Sequence, residues 1–471
     1  MDKVAFDDAC PQRGGWRAFW RKFMSCIEII YSDRTDHAAR LAEIKSRLSI
    51  GPMLLAELSP TGEPSAQQKV RVILADVRRD GDDALVRYSR QFDQFTGDAS
   101  ALRVSAAAIA TAAGQADTAF IAALDSAIAN VRRYQQAMLP PEPAAIVPAG
   151  GGAGARLAVR YQPLQRVGVY VPGGAGAYPS TVVMSVVPAQ VAGVKEICIC
   201  SPVRGGQVSA AVLAAASRLG IGEVYAVGGA QAIAAMAFGT QSIRPVDKIV
   251  GPGNTYVQLA KKELFGVVDI DSFAGPSEVI VLADDSASPV AVAAELLAQA
   301  EHAPGSCLLI TASSALAAKV QQQMNVQLAK LPRCELTTKA LAYASALVVV
   351  PSHDAALAMV NDFAPEHLQI TTRDARGDAF RIVNAGAIFI GEPTPVAAGD
   401  YLAGPSHVLP TSGTGRFFSG LSAESFRKRI SMVEYDAGAL HAAADAIVTL
   451  ARGEGFEAHA RSVMARRDGN V

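Results

Sequence analysis

Four short apolar runs follow one another between residues 167 and 253, and each ends in a turn that contains glycine or proline. They read VGVYVPGG (167–174), EICICSPV (196–203), EVYAVGG (223–229) and KIVGPG (248–253). Helical patterns follow the last three, at 210–218, from Gln231 and from Asn254. Uninterrupted apolar runs that alternate with helices predict a parallel sheet with helices on both faces.

A second series of the same kind occupies residues 277–392. Its apolar runs are SEVIVLAD (277–284), CLLIT (307–311), ALVVVPS (346–352) and GAIFIGE (386–392). Helical patterns at 289–301 and 317–331 separate the first three. The sequence therefore predicts an α/β fold of two doubly wound, Rossmann-like modules with helical N- and C-terminal segments.

These patterns divide the chain into four expected parts. Residues 1–67 form an N-terminal extension and helical segment. Residues 68–169 and 276–420 form the first α/β module, which is discontinuous and begins with helices, and residues 170–275 form the second. Residues 421–471 form a helical C-terminal tail that is too short for a core of its own, so we expect it to contact a partner subunit.

The composition points to a small-molecule partner. Half of the 471 residues are hydrophobic, and the 43 basic and 44 acidic residues nearly cancel. We therefore expect no nucleic-acid or membrane-surface partner, since both need a basic face. No apolar run reaches the ~20 residues that span a bilayer. Cys198 and Cys200 lack a second cysteine pair, which favours small buried side chains in a protein of the reducing cytoplasm.

Two short segments carry side chains suited to chemistry. In LLAQAEHAP, Gln299 and His302 are spaced i, i+3 at the end of a helix, so they share a face. In NDFAPEHLQI, the adjacent Glu366 and His367 suit a general acid–base pair near neutral pH. The alternatives stay open: a capping or surface His302, and an exposed glutamate beside a helix-terminal histidine.

Two further segments add oxygen and nitrogen donors. Asp400 and His407 lie in AAGDYLAGPSHVLPT (397–411), a glycine- and proline-rich stretch of the kind that often carries sites. Glu454 and His459 lie near the C-terminus, where by themselves they are typical of a solvated helix face. A glutamine, an aspartate and two histidines together form a donor set able to bind a catalytic zinc ion.

Glycine-rich turns suggest a nucleotide site. The segments VPGGAGAYPS, VGGAQA and GPGNTYV each follow a predicted strand, although G-x-G-x-x-G in the usual setting is absent. Strand carboxyl ends and helix N-termini bind phosphates in open α/β sheets. Any one of these turns also fits a plain tight turn, but three at successive strand ends favour nucleotide binding.

Nine motifs occur in the order found in the histidinol dehydrogenase family. They are YVPGG, PSTVVMSVVPAQVAGV, GGAQAIAA, GPGNTYV, AGPSEV, AQAEH, APEHL, GDYLAGPSHVLPT and EAH. The chain resembles that family over roughly residues 68–465. The resemblance implies one Zn²⁺ ion per subunit, with the ligands Gln299, His302, Asp400 and His459. It also implies that the proton-transfer residues are Glu366 and His367.

The resemblance assigns the remaining contacts as well. It implies that Ser277, His407 and Glu454 bind substrate together with His367 and the four zinc ligands. It implies that Tyr170, Gln231 and Asn254 contact NAD, which makes residues 170–275 the NAD-binding module. Family members are homodimers in which the C-terminal histidine and glutamate reach into the partner's site.

The reaction that the resemblance implies is the last step of histidine biosynthesis. L-Histidinol is oxidised through histidinal to L-histidine, with two NAD and one water. His367 would take the hydroxyl proton, and Glu366 would then activate the water. One departure is Ser406, which stands where family members commonly have asparagine.

Two other functions compete with this interpretation. A dehydrogenase on the same scaffold for another small alcohol, such as a sulfonated diol, would lose the residues that recognise imidazole; the presence of His407 and Glu454 favours histidinol. A catalytically silent α/β binding protein would lack a member of the acid–base pair or of the zinc set, and none is missing. The P-loop motif of phosphotransferases does not occur.

Overall fold

The computed structural model describes residues 25–49, 51, 64–141, 146, 154–173, 176–273, 276–302 and 305–468. The strands are β1 Ile29–Tyr31, β2 Ala155–Pro163, β3 Arg166–Tyr170, β4 Glu196–Cys200, β5 Val224–Tyr225, β6 Lys248–Val250, β7 Asp269–Ile270, β8 Ser277–Ala283, β9 Gly305–Thr311, β10 Ala346–Val349, β11 His367–Thr371, β12 Ala387–Ile390 and β13 Arg427–Tyr435. The helices are α1 Thr35–Arg47, α2 Ala66–Asp80, α3 Asp82–Asp93, α4 Ala106–Gln115, α5 Thr118–Met138, α6 Pro179–Ala192, α7 Ala210–Arg218, α8 Gly229–Phe238, α9 Thr255–Leu264, α10 Pro289–Ala300, α11 Ser314–Leu328, α12 Cys334–Ala344, α13 His353–Phe363, α14 Ala375–Arg381, α15 Val396–Tyr401, α16 Ala437–Gly453 and α17 Glu457–Asp468.

One parallel sheet has the order β5-β4-β3-β6-β7. Strands β3 and β6 are buried along their whole length, as strands covered by helices on both faces must be. The chain extends the sheet first to one side of β3 and then to the other, so a crevice is expected at the carboxyl ends of β3 and β6. Cys198 and Cys200 are fully buried in β4 and not disulfide-bonded, which confirms that they are core side chains.

The other parallel sheet has the order β1-β10-β9-β8-β11-β12. It too grows in both directions, from β8, so the prediction of two doubly wound α/β modules is confirmed. The sequence does not predict β11, because its five residues follow a proline and look like the end of the preceding helix. In the structure β11 is buried between β8 and β12, with His367 in register with Val279 and Ala387.

The N-terminal helices pack differently from the expected grouping. Residues 68–169 are expected in the module of residues 276–420, but helices α2 to α5 share a hydrophobic core with the five-stranded sheet. Val70, Leu85 and Val131 belong to the same buried cluster as Val167. Strand β1 pairs with β10, so part of the expected N-terminal extension is a strand of the six-stranded sheet. An amphipathic pattern shows that a helix has a buried face, but not which sheet covers it.

The C-terminal tail is not wholly helical. Strand β13 pairs antiparallel with β2 over nine residues, and most of its side chains are exposed. Helices α16 and α17 follow, and the buried residues of α17 are limited to Ala460. The tail therefore lies largely outside both sheet cores.

No described helix is by itself long and apolar enough to cross a bilayer. Helices α4 and α5 together meet the length and composition of a span, but the break between them is bent by 108°.

Candidate active site

A cavity of about 600 Å³ lies between the two modules. Helices α5 and α6 line it on the side of the five-stranded sheet, and helices α10 and α15 line it on the side of the six-stranded sheet. Gln299, His302 and Asp400 all contribute to its wall. Three of the four predicted zinc ligands therefore share one cavity.

Helix α10 carries two of these side chains in its last turn and just beyond it. The helix begins at Pro289 after the N-cap Ser288, and it ends with Gln299 and His302 facing the cavity, as their spacing predicts. Gln299 is buried, and its Nε2 has no hydrogen-bond partner. Burial lowers the pKa of His302, so its imidazole is neutral at pH 7 and able to accept a metal ion. His302 is exposed by its accessible surface, so it lies at the open rim of the cavity.

Asp400 comes from the short helix α15. Burial would raise the pKa of its carboxyl group, but the adjacent His367 and the nearby His407 and His302 more than offset that effect and lower it. Asp400 is therefore ionised at neutral pH. An anionic oxygen, a neutral imidazole and an unpartnered amide form a donor set that fits a zinc ion with one ligand still to come.

His459 does not join this set within the chain. It lies on the exposed helix α17, where its ring centroid is 5.3 Å from that of Phe456 with the two rings tilted by 49°. Glu454 is also exposed, at the end of α16. Among the described residues, no three His, Cys, Asp or Glu side chains lie close enough together to bind a metal ion. The predicted four-ligand site is therefore incomplete in one copy of the chain.

The Glu366–His367 pair lies at the amino-terminal end of β11, where both side chains are buried. The Nδ1 of His367 lies 3.2 Å from the carbonyl oxygen of Glu278 and 3.5 Å from Oε2 of Glu366. Because a carbonyl oxygen only accepts, Nδ1 carries a hydrogen and donates it. The other nitrogen, Nε2, lies 3.5 Å from Oδ1 of Asp400. The pair is thus neither exposed nor helix-terminal, and it meets the cavity through Asp400.

Burial and neighbouring charges shift the pKa values of both Glu366 and His367. Burial alone would lower the pKa of His367, but Glu366 and Asp400 raise it to about 9. Burial raises the pKa of Glu366 to about 7, although His367 opposes the shift. Both pKa values therefore differ from their ordinary values, as is common for acid–base groups in active sites.

Sequence reasoning missed Glu278, the second residue of β8. Its Oε1 accepts the backbone N–H groups of Glu366, at 3.1 Å, and of Ser412, at 2.8 Å. In return, Oε2 of Glu366 accepts the N–H of Glu278 at 3.1 Å. Burial, and the neighbouring Glu366, raise the pKa of Glu278 to about 8. The available signal was an acidic residue within an otherwise apolar strand, which is rare unless the acid has partners.

Ser277 and His407 lie beside the pair. Ser277 is the first residue of β8, and its hydroxyl lowers the pKa of Glu366 against the effect of burial. His407 donates from Nδ1 to the carbonyl oxygen of Asp400 at 3.0 Å. Its Nε2 lies 3.3 Å from the hydroxyl of Thr181 on α6, a contact that sequence reasoning also missed. This contact joins the loop of His407 to the other module.

Ser406, the departure from the family pattern, is buried and bonded to the same helix. Its hydroxyl donates to the carbonyl oxygen of Met184 at 3.0 Å and accepts the N–H of Val408 at 3.1 Å. The bond to Met184 holds the His407 loop against α6, and the bond to Val408 fixes the turn within the loop. Its side chain therefore acts on the position of the loop.

The three predicted NAD contacts lie at the carboxyl edge of the five-stranded sheet. Tyr170 ends β3, and its hydroxyl accepts the N–H of Gly229 at 3.1 Å. Gln231 lies in the first turn of α8, where both amide atoms are buried without a hydrogen-bond partner. Asn254 caps α9, with Oδ1 accepting two backbone N–H groups. This edge is where open α/β sheets bind nucleotides.

Comparison with known proteins gives a consistent result. The family model described as histidinol dehydrogenase matches residues 59–467. The histidinol dehydrogenase of Rhodopirellula baltica is 48% identical over 400 residues, which cover 85% of this chain and 86% of that protein. That of Carboxydothermus hydrogenoformans is 46% identical over 405 residues, which cover 86% and 94%. The crystal structure of histidinol dehydrogenase from Elizabethkingia anophelis superposes with a TM-score of 0.84 at 32% identity, and covers 94% of this chain and 99% of that one.

The role of Glu278 can be tested through stability. Glu278→Leu leaves two buried N–H groups without an acceptor, so we expect the free energy of unfolding to fall by about 2–5 kcal/mol. Glu278→Gln keeps the Oε1 acceptor and loses the ionisation. The pKa of Glu278 is raised to about 8 in the folded state. The contribution of Glu278 to stability is therefore fully present below the pKa that this group has in the unfolded chain, and it is lost as the pH rises towards 8.

The Gln variant should therefore gain stability relative to the wild type as the pH rises from about 5 to 8. Urea unfolding at several pH values measures this difference. Glu335→Gln, at an exposed position, is the matched control and should show no such trend. If the free energy of unfolding depended on pH equally in the wild type and in Glu278→Gln, the raised pKa of Glu278 would be contradicted.

Proposed function

The chain belongs to the histidinol dehydrogenase family and is an NAD-dependent oxidoreductase, and we propose that it oxidises L-histidinol at the cavity lined by Gln299, His302 and Asp400. The observation that carries this proposal is the position of His367. It is buried beside Glu366, and its Nε2 faces the same carboxylate, Asp400, that lines the cavity. A proton-transfer pair and a metal-ligand set thus meet at one side chain. The product is L-histidine, formed through histidinal. The cytoplasmic location stays a prediction.

The donor set supports one Zn²⁺ ion per subunit. Gln299, His302 and Asp400 would hold it, with His459 from a second copy of the chain as the fourth ligand. The unpartnered amide of Gln299 and the neutral imidazole of His302 support this assignment. When bound, the ion supplies a fixed positive charge that orients the substrate through its imidazole and amino nitrogens. The same four ligands, with Ser277, His367, His407 and Glu454, would surround the substrate.

His367 is the proposed acceptor of the hydroxyl proton in the first oxidation. The carbonyl oxygen of Glu278 keeps a hydrogen on Nδ1, so Nε2 is the atom that takes and releases the proton. In the chain alone, Glu366 and Asp400 hold the pKa of this ring at about 9, which is higher than a base at pH 7 requires. A cation held by Asp400 would weaken that field and so lower the pKa of His367. The hydroxyl proton then passes to Nε2 as the hydride passes to the first NAD.

Glu366 is the proposed base for the second oxidation. Its carboxyl group has a pKa of about 7, so it accepts a proton from water near neutral pH. The water oxygen adds to the aldehyde carbon, and the hydrate then loses a hydride to the second NAD. Keeping the aldehyde in the cavity between the two steps prevents the loss of a reactive intermediate.

A homodimer with shared sites is part of the proposal. Helices α16 and α17 present Glu454 and His459 to solvent rather than to the cavity of their own chain. The proposed zinc ion needs a fourth protein ligand, and His459 in the tail is a suitable donor. We therefore expect Glu454 and His459 to complete the site of a second copy.

NAD is proposed to bind at the carboxyl edge of the five-stranded sheet through Tyr170, Gln231 and Asn254. The buried, unpartnered amide of Gln231 supports this position, because a ligand would satisfy it.

The first prediction from this proposal concerns the reaction itself. With L-histidinol as substrate we expect two NADH per substrate consumed, measured by absorbance against substrate disappearance. Removing the metal with a chelator should abolish turnover, and added Zn²⁺ should restore it. Turnover of a sulfonated diol but not of histidinol would instead favour the alternative substrate.

The second prediction separates the two protein bases. Glu366→Gln removes the base for water but leaves His367, so we expect one hydride transfer and release of the aldehyde, detected by a carbonyl reagent. The overall rate to L-histidine should fall by about 10²–10⁴-fold. A variant blocked before any NADH forms would show that Glu366 acts in the first step.

The third prediction concerns the shared site. Glu366→Gln and His459→Ala homodimers should each form L-histidine very slowly. An equal mixture exchanged under mild denaturation should regain about a quarter of the wild-type rate of L-histidine formation, because each heterodimer has one intact site. A mixture of Glu366→Gln with His367→Ala is the control and should stay inactive. If both mixtures stay inactive, His459 does not act across subunits.

A further inference from the structure

The carboxyl ends of β3, β4 and β5 converge tightly around Pro202. A Cβ atom on Gly173, which follows β3, would lie 2.5 Å from the Pro202 side chain. A Cβ atom on Gly228, which follows β5, would lie 2.4 Å from it. Only glycine fits at these two positions, so the turn that begins α8 packs directly against Pro202.

Two polar side chains at this edge lack partners. Gln231 is 1% exposed, and neither its Nε2 nor its Oε1 makes a hydrogen bond. Asp93, the last residue of α3, is half-buried, and its Oδ2 is buried without a partner. Buried polar atoms are costly to leave unpaired, so two at one edge point to a bound polar molecule.

Asp93 lies against the turn that begins α8. Its Oδ2 would be 3.0 Å from a Cβ atom on Gly228, and the backbone N–H of Gly228 opposes the effect of burial by lowering the pKa of the carboxyl group. It is also close enough to Tyr170 for its charge to add to the effect of burial, which raises the pKa of the tyrosine. Burial raises the pKa of Asp93 itself to about 6, so the group is mainly ionised at pH 7–8.

A carboxylate in this position selects against phosphate. It occupies the N-terminal end of α8, where the helix dipole would otherwise attract a phosphate group. Ribose hydroxyl groups, in contrast, are donors that a carboxylate accepts well. In dinucleotide-binding folds an acidic residue bonds the adenosine ribose, usually from the end of the second strand. Here the second strand, β4, is followed by Ser201, Pro202 and Val203, which offer no acid.

We propose that Asp93 is a specificity-determining residue: its carboxylate accepts the adenosine ribose hydroxyls of NAD and excludes a dinucleotide that carries a 2′-phosphate. This inference rests on the NAD site proposed above. Asp93 belongs to α3, which precedes the strands of this sheet in sequence. It would supply the carboxylate that the residues after β4 lack.

The test compares the binding of NAD and NADP to the zinc-loaded enzyme by titration calorimetry. Asp93→Asn removes the charge with little change in shape. We expect the ratio of NADP affinity to NAD affinity to rise at least about tenfold, because a like-charge contact with the 2′-phosphate is lost. Asp83→Asn, an exposed position on the same helix, is the matched control and should leave the ratio unchanged.

Asp93→Ser guards against a folding artefact, with the melting temperature recorded for each variant. The same change of ratio in both folded variants supports the inference. An unchanged ratio, with NAD binding intact in the wild type, overturns the role of Asp93 alone. A wild-type enzyme that binds neither dinucleotide overturns the proposed NAD site as well.

Discussion

The imidazole of His367, buried between carboxylates, is the interaction on which the rest of the site depends. Its Nδ1 is fixed by the carbonyl oxygen of Glu278, and its two nitrogens face Glu366 and Asp400. Burying so many ionisable groups costs free energy unless each has partners. The backbone N–H groups that Glu278 and Glu366 exchange supply them. The strands β8 and β11 must therefore lie side by side before the pair can exist.

The two sheets use opposite edges. The predicted NAD contacts lie at the carboxyl edge of the five-stranded sheet, as is usual for open α/β folds. The acid–base pair lies at the amino-terminal edge of the six-stranded sheet, where Ser277 and His367 begin their strands. The contact between Thr181 and His407 crosses between the modules at this place. In the proposed mechanism the sheets therefore have separate roles: the five-stranded sheet would bind the dinucleotide, and the six-stranded sheet would position the proton-transfer groups.

Sequence patterns predicted the eight main strands and the shared face of Gln299 and His302, because both depend on local periodicity. They did not predict β11, since five residues after a proline carry too weak a pattern, nor the antiparallel pairing of β13 with β2. They also assigned helices α2 to α5 to the wrong sheet. Glu278 and Asp93 escaped notice for a related reason: their importance comes from partners far away in sequence, which periodicity does not encode.

Asp400 belongs to both functional sets, and this sharing couples them. Its carboxylate faces the cavity with Gln299 and His302, and it also raises the pKa of His367. A positive charge among the cavity side chains would therefore lower the pKa of the His367 imidazole, because it would offset the negative charge of Asp400. In the proposed dimer, a side chain from another copy would complete the ligand set, and the pKa of His367 would then depend on assembly. The exposed C-terminal tail of one copy would thus influence the protonation of the buried His367 in the other.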